Sequence, residues 1–180
     1  MSFSQWNTNC ILAVNHYGVI GKSEVAMSTF TNLLFHIIYS TKYRKPIIHP
    51  DWQSDLYGYI GGIVRDQKGT LLKIGGVEDH VHLLVKLSPA IAISNVLRTI
   101  KSNSSKWINE REDVARKFEW QSGYAAFSVS ESQAPSVLDY VANQVEHHRK
   151  RTFEEEFLLI LKKHKIEYDM KYVFEQEIVD

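Results

Sequence analysis

Cysteine is almost missing from these 180 residues: Cys10 stands alone. That excludes a disulfide framework and a Cys-rich zinc module. Net charge is missing as well, because 21 basic and 21 acidic residues cancel. A passive polycation is excluded, although a neutral chain still has room for one basic face. No apolar run is long enough to cross a bilayer, and the longest, such as "LLFHIIY", falls far short. The first residues carry no basic segment ahead of an apolar one, so no secretory signal and no membrane partner are expected, and a reducing cytoplasm is the default setting. The glycines of "YGYIGG" lack the Gly-Lys-Ser/Thr ending of a nucleotide loop, which argues against ATP-driven chemistry.

What is present is an ordinary globular balance, 44% hydrophobic and 23% charged, at a length that suits one domain. Residues 1–26 show no period and mix Asn, Ser and Gly with scattered apolars. They read as an N-terminal extension, either poorly ordered or a non-native start, ahead of a single domain over 27–180.

β-branched and aromatic residues over 28–41 predict a central strand. Pro46 and Pro50 break the chain after it. Trp52, Leu56, Ile60 and Ile63 then recur at helical spacing over 51–66, and Gly69 ends that helix. Residues 70–77 and 80–87 read as two strands joined by a tight turn at Glu78-Asp79. Val96, Leu97, Ile100, Trp107 and Ile108 predict a second helix opening at Ser94 as its cap. A fourth strand is expected over 124–130 and a third helix over 134–148. Thr152 and Glu155 form a capping-box pattern ahead of a helix with Phe153, Phe157, Ile160 and Leu161 on one face. Strand, helix, strand, strand, helix, strand is the split βαβ order. The fold class expected is therefore α+β, a ferredoxin-like or RRM-like βαββαβ sandwich with an antiparallel sheet, followed by C-terminal helices. That fold hosts many functions and decides none.

"EDHVHLLVKL" carries the chemistry. Alternate residues of a strand share a face, so Val81, Leu83, Val85 and Leu87 point one way and His80 and His82 the other. Two imidazoles so placed can converge on one metal ion, or can be two polar residues on a solvated face. Two ligands are too few for a closed zinc site. In "DYVANQVEHH", Tyr140 and Gln144 are four apart and stack on one helix face, with His147 or His148 a turn further on. The apolar face of that helix is expected to be Val137, Leu138, Val141 and Val145. A glutamine carbonyl beside two imidazoles leaves positions open for water and phosphate oxygens, which suits Mg²⁺ or Mn²⁺. Taken alone, Tyr140 also fits an edge-of-core tyrosine and Gln144 a surface residue.

His-hydrophobe-His on a strand with Tyr-x-x-x-Gln on a downstream helix resembles the single-tyrosine HUH transposases of the insertion-sequence 200/605 type. "FHIIYSTKYRKPI" and "LKKHKIEYD" fit as well, so the resemblance spans about residues 28–173. It implies metal-dependent cleavage and rejoining of single-stranded DNA at hairpin-marked element ends. Tyr140 would be the nucleophile, with His80, His82 and Gln144 holding the ion. A phenol of ordinary acidity, pKa about 10, is mostly neutral at pH 7, so the phosphate must be made electrophilic. The 5′-phosphotyrosine then conserves the bond, and rejoining needs no ATP. The resemblance also implies a homodimer, with active sites open to sharing between protomers, in a bacterial or archaeal cytoplasm near the nucleoid.

Other roles are less determined by the sequence. Asp79 either orients an imidazole from behind or serves only the turn. His147 is a further candidate at the edge of the site. Candidate DNA contacts are Lys42, Arg44 and Lys45 after the first strand, Arg98, Lys101 and Ser105 on the second helix, and Arg149, Lys150 and Arg151. Each is equally a solvated side chain, but three basic segments in a neutral chain favour one basic face. Three rivals stand beside the transposase: a non-catalytic ferredoxin-like nucleic-acid-binding module, a small metal-dependent hydrolase with a structural Tyr140, and a domesticated relative acting on repeated palindromic DNA.

Overall fold

A computed structural model describes residues 30–114 and 116–173. The expectation for residues 1–26 lies outside the described residues. Four strands, β1 (Leu34–Ser40), β2 (Thr70–Val77), β3 (His80–Lys86) and β4 (Ala125–Ser128), form one antiparallel sheet in the order β2-β3-β1-β4. Helices α1 (Pro50–Asp66) and α2 (Ile93–Asn109) supply the two crossovers. This is the ferredoxin-like order expected from the sequence. Among the described residues no helix is long and apolar enough to cross a membrane.

The α1/α2 layer covers one face of the sheet. Trp52, Leu56, Ile60 and Ile63 of α1 are buried at the predicted spacing, against Ile37 and Tyr39 of β1 and Val81, Leu83 and Val85 of β3. Burying a large aliphatic side chain stabilises by about 1.5–3 kcal/mol, so this layer carries most of the fold's driving force. A second layer covers the opposite face: α3 (Ala134–Ala142), α4 (Gln144–His148) and α5 (Phe153–Lys163). Phe153 and Leu161 of α5 bury against Ile38 and Phe127.

Four local expectations need correction. The first strand starts at Leu34, because its partner β3 ends at Lys86 and Leu87 N–H already bonds the Leu33 carbonyl. The fourth strand is shorter, since β4 finds only Phe35 to Ile38 to pair with. Helix α2 is capped at Ala92 without a side-chain bond, and Ser94 lies inside it. The helix expected over 134–148 is broken at Asn143, whose backbone leaves helical values (φ −105°, ψ 27°) while its side-chain amide donates to the Asp139 carbonyl at 2.9 Å. An asparagine that satisfies the end of the preceding helix in this way competes with its continuation. The break turns Gln144 inward and leaves Val145 exposed; Leu138 is exposed too.

Candidate active site

The second sheet face is unusually polar for a buried surface. His36 of β1 and His80 and His82 of β3 point into it, and all three are buried. His36 Nε2 and His82 Nδ1 share a hydrogen bond of 3.0 Å. Asp79, in the β2–β3 turn, accepts from His80 Nδ1 at 2.6 Å and from Arg44 Nη2 at 2.9 Å. Burial alone would raise Asp79, but the bonds from His80 and Arg44 hold its carboxyl below the ordinary range. With Nδ1 so engaged, His80 presents the lone pair of Nε2 to the interior.

Glycine lets the tyrosine helix close over this face. Gly75 of β2 pairs with His82, and a Cβ there would collide with the carbonyl of Val141. The end of α3 therefore rests directly on the strand backbone. Tyr140 comes with it, its ring centroid 5.9 Å from that of His82 and 5.8 Å from that of His36. Its hydroxyl donates to Glu156 Oε1. Gln144 is buried, and its amide nitrogen lies 3.3 Å from the Tyr140 carbonyl and 3.4 Å from Glu156 Oε1.

The capping box at Thr152 and Glu155, formed as the pattern predicted, starts α5 and aims Glu156 at the sheet. Glu156 Oε2 lies 2.8 Å from His148 Nε2, but without hydrogen-bond alignment. Burial, then the nearby His80, lowers His148 to about 4, and burial raises Glu156 to about 7. Burial likewise pushes His82 well below its usual value, with His80 and His36 adding to the effect. One donor atom from each of His80, His82, His148 and Glu156 lies within 4.8 Å of every other. His80 Nε2, His82 Nε2, His148 Nε2, Glu156 Oε2 and Gln144 Oε1 are all buried side-chain atoms with no hydrogen-bond partner. The orphaned lone pairs of the four clustered residues fit a divalent cation.

Three of these residues were not singled out as ligands or site residues from sequence. His36 shares the face of Ile38 in an otherwise apolar strand. Glu156 lies between Phe153 and Ile160 on the apolar stripe of α5. A polar residue inside each stripe was the available signal. His148, which sequence could not separate from His147, meets His80 edge-on with 4.5 Å between ring centroids. His147 is exposed and touches the Tyr140 ring instead, at 4.8 Å.

The basic residues divide. Lys150 and Arg151 line a cleft of about 820 Å³ that also holds Tyr140, His147, Lys163 and His164. Arg98 and Ser105 line a second cleft of about 540 Å³. Lys101 Nζ donates to the carbonyls of Gln121, Ser122 and Gly123 at 3.0, 3.2 and 2.5 Å, and burial lowers it to about 8, so it ties down a loop. Arg44 is held by Asp79 and Glu154, Lys42 lies 3.9 Å from Glu119, and Lys45 sits over the Tyr43 ring. Arg149 pairs with Glu146 at 3.1 Å.

Fold and cluster together define a ferredoxin-like domain with a metal-capable polar centre beneath a helix-borne tyrosine. Comparison with known proteins carries this to a family. The model of the family described as "Transposase IS200 like" matches residues 29–144, well over half of the chain. The chain belongs to that family. It is 23% identical over 132 residues to the transposase for insertion sequence element IS200 of Salmonella typhimurium, covering 71% of this chain and 86% of that protein. It is 23% identical over 117 residues to the ISDra2 transposase TnpA of Deinococcus radiodurans, covering 62% and 84%. The fold is shared with a REP-associated tyrosine transposase solved bound to a REP hairpin, with a TM-score of 0.51 and 16% identity over 67% of this chain and 74% of that one.

Proposed function

We propose that this transposase cuts and rejoins single-stranded DNA through a 5′-phosphotyrosine on Tyr140. The observation that carries the reading is the set of buried, unpartnered donors His80 Nε2, His82 Nε2 and Gln144 Oε1 beneath that tyrosine. Those three residues would hold Mg²⁺ or Mn²⁺, which supplies Lewis acidity at the scissile phosphate and at the leaving 3′ oxygen. Asp79 fixes the tautomer and tilt of His80. Glu156 accepts the Tyr140 hydroxyl, and burial has brought this carboxyl to about 7, matched to taking a proton near neutrality. The attack forms the Tyr140 Oη–P bond and breaks the bond from phosphorus to the 3′ oxygen. A later 3′-hydroxyl reverses it.

The cleft beside Tyr140 suits a single strand, with Lys150, Arg151 and Lys163 for its phosphates and apolar Val137 and Ile160 for its bases. The second cleft, with Arg98, Ser105 and Lys117, is open to the hairpin. The protein works in the cytoplasm, as a homodimer. In the single chain the Tyr140 ring lies 5.9 Å from that of its own His82, which supports a site built within one protomer; sharing of the tyrosine helix across the dimer is the alternative. A second reading has one observation in its favour: the fold is shared with a protein solved on a REP hairpin, which fits the same chemistry on repeated palindromic DNA in a domesticated relative.

The test is incubation with Mg²⁺ or Mn²⁺ and a hairpin-bearing single strand from the flanks of the coding region. An SDS-stable adduct should form, map to Tyr140 by mass spectrometry and vanish in Tyr140→Phe. Cleavage that survives Tyr140→Phe would point to a hydrolase. Hairpin binding with no covalent product would point to a binding module.

A further inference from the structure

Four donor residues cluster on this face, and Gln144, beside Glu156, adds a further buried and unpartnered atom, Oε1. Gln144 Oε1 is a neutral oxygen of the kind Mg²⁺ and Mn²⁺ accept alongside water. The remaining four are three imidazole nitrogens and one carboxylate oxygen, a set suited to Zn²⁺.

We propose that His80, His82, His148 and Glu156 form a closed four-ligand site for Zn²⁺ or a similar transition-metal ion, and that its occupancy holds the transposase in an inactive form. The proposal rests on the reading of His80 and His82 as ligands. Each of the four donors is buried and lacks a hydrogen-bond partner. His80 and His82 are fully buried, and Glu156 is only 7% exposed. One ligand atom from each of the four residues lies within 4.8 Å of the other three. Tetrahedral ligands at zinc distances sit about 3.3 Å apart, a closure of roughly 1.5 Å at most from the spacing present. The contact of 2.8 Å between His148 Nε2 and Glu156 Oε2, unaligned for a hydrogen bond, is what two ligands aimed at a common centre would show.

Inactivity follows from the ligand count. Four protein ligands fill a tetrahedral shell and leave no position for a phosphate oxygen. Glu156 is also the acceptor of the Tyr140 hydroxyl, so engaging its other oxygen reduces its basicity toward that proton. Activation would then call for a divalent ion that favours oxygen ligands and water, which Gln144 would help to hold, leaving Glu156 free to accept the Tyr140 proton. Ligands from β3, α4 and α5 would also pin the helical layer to the sheet.

Co²⁺ titration of the metal-free full-length protein reads the geometry, because tetrahedral Co²⁺ has far stronger visible bands than octahedral Co²⁺. Wild type should take one equivalent with tetrahedral bands. His148→Ala and Glu156→Gln should each lose those bands and bind Zn²⁺ more than about tenfold more weakly, a loss that even an outer-sphere change can produce. Gln144→Ala should keep both properties. In wild type, one equivalent of Zn²⁺ should suppress the Mg²⁺-dependent adduct, and His148→Ala should need more Zn²⁺ for the same suppression. Octahedral bands in wild type, bands that survive in a folded His148→Ala or Glu156→Gln, or bands lost in a folded Gln144→Ala would overturn the proposal. The two variants lie on different helices, so misfolding of one, seen by near-ultraviolet circular dichroism, leaves the other to decide. A Tyr140 adduct together with octahedral Co²⁺ would sink the closed site alone. Tetrahedral Co²⁺ without any adduct would sink the transposase mechanism, and with it the inhibitory role, but not the four-ligand site.

Discussion

β3 steps between two environments at every residue. Val81, Leu83 and Val85 face α1 and α2, while His80 and His82 face α3, α4 and α5, and all five are buried. Dryness therefore does not distinguish the faces. What differs is the kind of polar group each leaves unpaired. The α1/α2 side has the Tyr39 and Tyr57 hydroxyls, phenols that burial pushes up and keeps protonated. The other side has lone-pair donors gathered in one place. An unsatisfied buried group costs about 1–3 kcal/mol, so the second face gives up stability that a ligand can return.

The sharpest way to break this comparison is to truncate neighbours on β3. Leu83→Ala should cost about 3 kcal/mol by removing packed volume, measured by urea unfolding of the metal-free protein. His82→Ala should cost less than Leu83→Ala, because it relieves the orphaned Nε2 of His82 even as it leaves His36 Nε2 unpaired, yet it should abolish the adduct. Equal destabilisation by the two would mean that the histidine face is simply core.

Acid should act on one face only. Burial, with His164 and Lys163 adding to it, lowers His36 to about 4, whereas an unfolded imidazole titrates near 6.5. Between those values the unfolded chain binds a proton that the folded chain refuses. The contribution is complete above about pH 6.5 and is lost as pH falls to about 4, on the order of 3 kcal/mol for this residue. His82 and His148 act in the same direction. Glu156, raised to about 7, opposes them: its contribution is present below the ordinary glutamate range and is lost as pH rises through 7. Three imidazoles outweigh one carboxyl, so the urea midpoint of the metal-free protein should fall on acidification from pH 7 to 4.5. A flat or rising midpoint would contradict the buried, neutral histidines.

A smaller effect separates orientation from ligation. Asp79→Asn keeps the turn but weakens the anchor of His80 Nδ1 and of Arg44. Metal affinity by calorimetry should fall roughly 10- to 100-fold while hairpin binding is unchanged. Unchanged metal affinity would reduce Asp79 to a turn residue.

How far the two faces could be read from sequence follows from the same contrast. The α1/α2 face has clean periods, and Trp52, Leu56, Ile60 and Ile63 announced it. The His80/His82 alternation was equally legible. The roof of the site was not, because its geometry depends on one event, the break at Asn143, which periodicity across 134–148 conceals. His148 and Glu156 meet only after that break and the turn before Thr152 bring α4 and α5 together. Gly75 reads as a plain strand glycine until α3 lies on it.

The roof also offers the mildest test. Thr152 accepts from Glu155 N–H at 3.3 Å, and Glu155 returns a bond to Thr152 N–H at 3.1 Å, so the start of α5 is tied off just before Glu156. Thr152→Ala removes one of these bonds, about 1 kcal/mol. On the α1/α2 face so small a loss would be shared by a cooperative core. On the roof it should act locally, because α5 is anchored by the smaller of the two apolar clusters, in which only Phe153 and Leu161 of the helix are buried, against Ile38 and Phe127. Amide exchange in the first turn of α5 should accelerate about fivefold, the factor equivalent to that energy, with exchange in α1 unchanged. Acceleration spread evenly over α1 and α5 would show that the two layers open as one, and the distinction between a face that folds and a face that works would lose its energetic basis.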